Sequence, residues 1–146
     1  MTVLEHLKLV CELKCVAKWE IDIEIQETLK LVLLEVHQDK RVQYLSGGMK
    51  RKLSLAMSLV GKSKIVILDE PTSGLDVDSR RTVWELIKKI KETRSVILST
   101  QHIEEAEVLA DRVCIMSHGK VINLDTPAEI KKKFGVGYNL IIELRK

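Results

Sequence analysis

Residues 65–68 of this 146-residue chain read Ile-Val-Ile-Leu, and the run closes on Asp69-Glu70-Pro71. A short, wholly apolar, mostly β-branched run is the pattern of a strand buried on both faces, as in a parallel sheet covered by helices. Its two carboxylates then fall at the strand's carboxyl end, the edge at which open α/β sheets bind ligands.

The sequence on either side differs in character. Thr2 and Glu5 form a capping box that opens a helix with Val3, Leu7, Val10 and Leu13 on one face. Residues 20–36 alternate like a strand at Ile21, Ile23 and Ile25, but Ile25, Leu29, Val32, Leu33 and Val36 fit a helix, and the segment reads as helix. A polar stretch, residues 37–43, leads into Leu45-Ser46-Gly47-Gly48. Leu53, Ala56, Met57 and Val60 then mark an amphipathic helix that Gly61 is placed to stop. After the buried strand the chain alternates: helix 77–92, strand 95–99, helix 103–110, strand 112–117, a turn at His118-Gly119, strand 120–124. Thr126-Pro127 caps a helix to residue 134, and a last strand covers 138–144. The expected class is α/β, with a helical part (residues 1–62) preceding a sheet-bearing part (residues 63–146).

Composition excludes several alternatives. A hydrophobic share of 45% with 31% charged residues is that of a folded globular chain. A net charge of +3 lacks the clustered basic excess of a nucleic-acid binder, so no nucleic-acid partner is expected. Lys50-Arg51-Lys52 and Lys131-Lys132-Lys133 read as solvated helix faces. No apolar run approaches the roughly 18 residues that span a bilayer. Cys11, Cys15 and Cys114 offer no second pair for a zinc site and read as buried or partly buried thiols in a reducing compartment. Trp19 and Trp84 read as packing residues, and His6, His37 and His118 as surface positions.

Four features carry chemistry. At the strand's end, Asp69 can hold Mg²⁺ through its water shell, and Glu70 can orient or deprotonate a water attacking a phosphoryl group. Ser46-Gly47-Gly48-Met49 opens a helix, whose free N–H groups and positive dipole end suit an anion, with glycines allowing close approach. Ser73-Gly74-Leu75-Asp76 is a tight turn directly after the carboxylates. Ser99-Thr100-Gln101-His102 ends the next strand at the same edge.

In order and spacing these segments resemble ATP-binding cassette proteins over essentially the whole chain. Leu45-Ser46-Gly47-Gly48 resembles their signature motif, residues 65–69 their Walker B strand, Glu70 their catalytic glutamate, and residues 73–76 their D-loop. Met49 in LSGGMKRKL, Ser79-Arg80-Arg81, residues 2–7 and the Gly135-Val136-Gly137-Tyr138 tail are similar to subfamily A, mainly membrane transporters of lipids and sterols. The resemblance implies a partial P-loop NTPase core with a helical subdomain on its N-terminal side. It implies ATP and Mg²⁺ as cofactors: Ser46, Gly47, Gly48, Met49 and Asp76 at nucleotide, Asp69 at the metal, and Glu70, Gln101 and His102 in catalysis. The usual switch histidine aligns with Gln101, which hydrogen-bonds a phosphate without carrying a proton charge; Gln101 is the favoured phosphate-facing residue, with His102 substituting if the loop shifts.

The family's P-loop is not found. Ala56-Met57-Ser58-Leu59-Val60-Gly61-Lys62-Ser63 is a near miss, but it runs helix to strand, whereas a P-loop runs strand, loop, helix. The expected partners are therefore a second nucleotide-binding domain that supplies a P-loop, and the transmembrane domains of a transporter, with the chain at the cytoplasmic face of a membrane. ATP hydrolysis is expected of the complete domain pair and not of this chain alone. Two other readings stand beside this one: a non-catalytic truncated cassette that docks on a complete one, and a cassette protein that is not a transporter.

Overall fold

A computed structural model describes residues 1–134 and divides the chain into two compact units, Met1–Gln101 and His102–Lys146. In the first unit, α1 (Val3–Leu13) begins at the expected capping box: Glu5 N–H donates to Thr2 Oγ1 at 3.2 Å, and Thr2 N–H donates to Glu5 Oε2 at 2.7 Å. It buries Val3, Leu7 and Cys11 and leaves Leu13 exposed. Helix α2 (Lys18–Val32) settles the ambiguous segment as helix. Ile25, Leu29 and Val32 face inward together with Glu24 and Thr28. Trp19 lies on the far side of α2 from that stripe and is 80% exposed, which overturns its reading as a packing residue.

Helix α3 (Gly47–Leu59) starts at Ser46, whose Oγ accepts from Met49 N–H at 3.3 Å, and buries Leu53, Leu55, Ala56 and Leu59. The three helices pack on one another, and α3 also packs on β1 (Ile65–Asp69) and α4 (Val77–Lys91). Helix α4 is the crossover to β2 (Ser95–Ser99), which pairs with β1 in parallel, Ile65 opposite Ser95 and Asp69 opposite Ser99. Its inward stripe, Val83, Leu86, Ile87 and Ile90, follows the 3–4 spacing of an amphipathic helix, and each of these side chains contributes about 1.5–3 kcal/mol by leaving water.

The apolar run of β1 is buried on one face only. Val66 and Leu68 point into the unit, while Ile65 and Ile67 alternate outward, Ile67 being 73% exposed. The expectation of burial on both faces fails because the unit lays helices against one side of this two-stranded sheet.

The second unit holds α5 (Ile103–Leu109), the antiparallel pair β3 (Val113–Ser117) and β4 (Lys120–Asp125), and α6 (Pro127–Phe134). The hairpin turns at His118 and Gly119, both at positive φ (48° and 72°), the backbone of a two-residue turn matched to strand twist. Thr126 caps α6 by accepting from Glu129 N–H at 3.3 Å. Lys131 pairs with Glu107, and Lys133 with Asp125. The expected strand 138–144 and the tail at 135–138 lie outside the described residues.

Candidate functional site

Parallel pairing brings the carboxyl ends of β1 and β2 to one edge. There the Ser99 hydroxyl donates to Asp69 Oδ1. Glu70, next in sequence, has φ 45°, a left-handed backbone that costs a non-glycine residue of order 1 kcal/mol or more and is frequent at functional sites. It is held there by its N–H, which donates to Ser99 O at 3.1 Å and lies 3.3 Å from Ser99 Oγ. Thr100 and Gln101 follow Ser99 on the same edge, Gln101 exposed. His102 opens the second unit, and its carbonyl accepts from Glu105 and Ala106 N–H as the start of α5.

The turn after Glu70 closes tightly. Ser73 N–H donates to Glu70 O and Leu75 N–H to Thr72 O, each at 3.2 Å, and Gly74 takes φ 74°. Asp76 ends the turn as N-cap of α4, with Oδ1 accepting from Ser79 N–H at 2.9 Å. That backbone hydrogen bond holds the Asp76 carboxyl below its ordinary value.

The start of α3 lies against this turn. A Cβ on Gly48 would sit 3.2 Å from Ser79 Oγ, so the absence of a side chain there permits the close approach of two helix N-termini. Arg51, one turn further along α3, donates from Nη2 to Ser73 O at 3.3 Å. Gly47 is exposed, with nothing within 4 Å of where a Cβ would be, at the end of α3 where helix N–H groups lack intrahelical partners. The structure thus joins Ser46, Gly47, Gly48 and Met49 to Asp76 through Ser79 and Ser73, and joins Asp69 and Glu70 through Ser99.

The near-miss P-loop is a helix stop. Helix α3 ends at Leu59, and Gly61 takes φ 85° in a turn where a Cβ would fall 2.8 Å from Lys14 Cδ. The amides of that turn are already occupied: Glu24 Oε1 accepts from Gly61 N–H and, at 3.0 Å, from Lys62 N–H. The last carbonyls of α3 and its cap accept from cations, as suits a helix C-terminus: Met57 O, Ser58 O and Val60 O from Lys14 Nζ at 3.2, 3.0 and 2.7 Å, and Leu59 O from Arg94 Nη1 at 2.7 Å. Sequence reasoning passed over Glu24, Lys14 and Arg94; a glutamate within the inward stripe of α2 is the signal that was available for the first.

Among the described residues no cluster of three or more His, Cys, Asp or Glu could hold a metal. Asp69 with the Ser99 hydroxyl is a hard oxygen set that suits Mg²⁺, an ion commonly bound by one or two carboxylates plus water and substrate phosphate. Arg51 and Lys52 are half-buried, so only Lys50 of that basic run is fully solvated. Cys11 is buried while Cys15 and Cys114 are exposed.

A family profile described as ABC transporter matches residues 1–73. The glucosylceramide transporter ABCA12 of Mus musculus is 45% identical over 149 residues, covering 100% of this chain and 6% of that protein. ATP-binding cassette sub-family A member 2 of Homo sapiens is 45% identical over 145 residues, covering 99% of this chain and 6% of that protein. The phospholipid-transporting ATPase ABCA3 of Homo sapiens is 39% identical over 142 residues, covering 97% and 8%. The chain thus spans less than a tenth of these relatives' length. Among solved structures, cbiO1 from Clostridium perfringens, part of the ABC transporter complex cbiONQ, superimposes with a TM-score of 0.81 at 29% identity, over 90% of this chain and 53% of that one.

Proposed function

The chain belongs to the ABC transporter family, and from that premise we propose that it is the signature and Walker B portion of a nucleotide-binding domain that works with a P-loop lying outside these 146 residues. The observation that carries the proposal is the contact between two helix N-termini. Gly48 and Ser79 bring the starts of α3 and α4 together, at a helix start whose Met49 N–H is capped by Ser46 and whose glycines allow an anion to approach closely. The P-loop-like turn at residues 60–63 has the amides of Gly61 and Lys62 taken by Glu24.

In this reading Ser46, Gly47 and Gly48, with Met49 behind them, face the terminal phosphate of an ATP held on a partner domain's P-loop. Asp76 orders the turn beside them. Asp69 and Glu70 serve the other nucleotide of the pair. Asp69 holds Mg²⁺, which neutralises charge on the transferred phosphoryl group when bound. Glu70 orients the attacking water, and Gln101, with His102 as the alternative, faces the terminal phosphate. The helical part, residues 1–62, carries the signature, and residues 63–146 carry the carboxylates. The names of the ABCA12 and ABCA3 relatives point to lipid as cargo, moved by transmembrane domains elsewhere in the protein, with this domain at the cytoplasmic face. No helix among the described residues is long and apolar enough to cross a membrane.

The test is capture of an intact, P-loop-bearing cassette by the immobilised chain with and without a non-hydrolysable ATP analogue. Capture that requires the nucleotide and is lost in Ser46→Arg supports the proposal. Nucleotide-independent capture, or robust Glu70-dependent ATPase activity of the chain alone, refutes it.

A further inference from the structure

In the basic run at 50–52, the Arg51 side chain makes a specific bond to the backbone of the neighbouring turn. Arg51 is half-buried on the same face of α3 as Gly48, the face that meets the turn and start of α4, and its Nη2 donates to Ser73 O at 3.3 Å. Ser73 holds the other side of that link with its own N–H, which donates to Glu70 O at 3.2 Å. Glu70 N–H in turn reaches Ser99 O at 3.1 Å, and Ser99 Oγ binds Asp69. The start of the signature helix is therefore joined, through backbone bonds at Ser73 and Glu70, to Ser99, whose hydroxyl holds the Asp69 carboxylate, and Arg51 is the member that crosses from helix to turn.

We infer that Arg51 is a positioning residue that makes the signature segment and the Glu70–Asp76 turn move as one body. This inference rests on the proposed function, under which the signature serves one nucleotide and the carboxylates the other. Under it, a shift of Ser46–Gly48 toward a partner's phosphate pulls on the Ser73 carbonyl, and the N–H of the same residue carries the bond to Glu70 O. Glu70 holds a left-handed backbone at φ 45°, strained for a non-glycine residue, so a pull that reaches it acts on a strained position. A lysine at position 51 reaches a carbonyl with its ammonium but lacks the planar guanidinium, so it restores part of the link.

The experiment is amide hydrogen exchange by NMR on the 146-residue chain, followed by the capture assay. Arg51→Met keeps the aliphatic stem and removes the donor. The expected result is a roughly five- to tenfold rise in exchange at Ser73 and Leu75, the loss of one ordinary hydrogen bond, with shift changes reaching the Glu70 amide. The amides of residues 53–59 keep their protection, which shows that α3 remains folded. Arg51→Lys recovers part of the protection. Unchanged exchange at Ser73 in Arg51→Met, or a rise spread evenly over α3, overturns the inference. In the second arm nucleotide-dependent capture weakens in Arg51→Met and recovers in Arg51→Lys. Capture by the unaltered chain with no loss in Arg51→Met overturns the role of Arg51 and leaves the proposed function standing. Failure of the unaltered chain to capture refutes the proposed function and, with it, this role.

Discussion

Glu24 Oε1 accepts the backbone N–H of Lys62 at 3.0 Å, together with that of Gly61, and so a buried carboxylate from α2 fills the turn that joins α3 to β1. Both residues of the turn have positive φ, 85° at Gly61 and 50° at Lys62, which aims their amides inward in the manner of an anion-binding nest. Replacing Glu24 by Ala leaves two inward amides without their acceptor, and is expected to cost about 2–3 kcal/mol. Glu24→Gln keeps an oxygen in place and is expected to cost about 1 kcal/mol or less. Urea unfolding followed by far-ultraviolet circular dichroism separates the two. Equal midpoints for Glu24→Ala and the unaltered chain would sink this account of the turn.

Ser46 has two roles that substitution can separate. As N-cap of α3 it accepts from Met49 N–H, and Ser46→Ala is expected to lose about 1 kcal/mol. Ser46→Asp keeps a capping acceptor and adds favourable charge at the helix start, so stability is held or slightly raised. The same carboxylate stands where the proposed terminal phosphate arrives and repels it. Ser46→Asp is therefore expected to unfold no earlier than the unaltered chain in thermal melts, yet to abolish nucleotide-dependent capture. Retained capture would show that no phosphate approaches this helix.

The elements were largely legible because their signals are local. The Thr2–Glu5 box and the Thr126-Pro127 start each lie within a few residues of sequence, and each appears as read; the stripe read in α3 holds at Leu53 and Ala56, while Leu55 and Leu59 are also buried, Met57 is half-buried and Val60 caps the helix. The ambiguity at 20–36 resolved to helix because Ile25, Leu29 and Val32 make a buried stripe, which a strand would have turned to both faces. The burial of β1 was misread because residue type reports hydrophobicity, while coverage depends on which layers pack on a sheet; Ile67 is as apolar as Val66 and faces outward. The positions of Asp69, Glu70, Ser46 and Asp76 at strand and helix ends followed from motif spacing. The bonds that link them did not, since Arg51 to Ser73 and Glu24 to Lys62 span 22 and 38 residues.

The three thiols divide by environment. Cys11 lies in the core of α1, and burial, reinforced by the nearby Glu24 carboxylate, pushes its thiol above the ordinary value. Cys15 and Cys114 are exposed. A thiol reagent at neutral pH is expected to modify two cysteines in the folded chain and the third only after denaturant is added, because the thiolate is the reacting form. Three fast-reacting thiols in the native chain would contradict the burial of α1's inner face.

The second unit carries a pH dependence of defined sign. A side-chain hydrogen bond with Glu129, followed by one from Lys133, lowers the Asp125 carboxyl from 3.8 to about 2. A carboxyl whose folded value is depressed contributes stability that is complete above its unfolded value and disappears as pH falls through the folded one. The link between the end of β4 and α6 is thus intact above about pH 4 and is lost toward pH 2. NMR titration of the Asp125 side-chain carbonyl is expected to give its midpoint near 2, with the amides of Thr126 and Glu129 shifting in the same window. Asp125→Asn removes this titration and leaves the Thr126 cap in place, so α6 persists and the step near pH 2 disappears. Lys133→Met removes the ammonium's hydrogen bond and charge and moves the midpoint part of the way back toward 3.8. Added salt should mimic Lys133→Met in direction, since the ammonium and carboxylate meet at the surface where ions screen them. A midpoint near 3.8 in the unaltered chain would show that Asp125 is not engaged by either partner, and that Thr126 alone starts the helix.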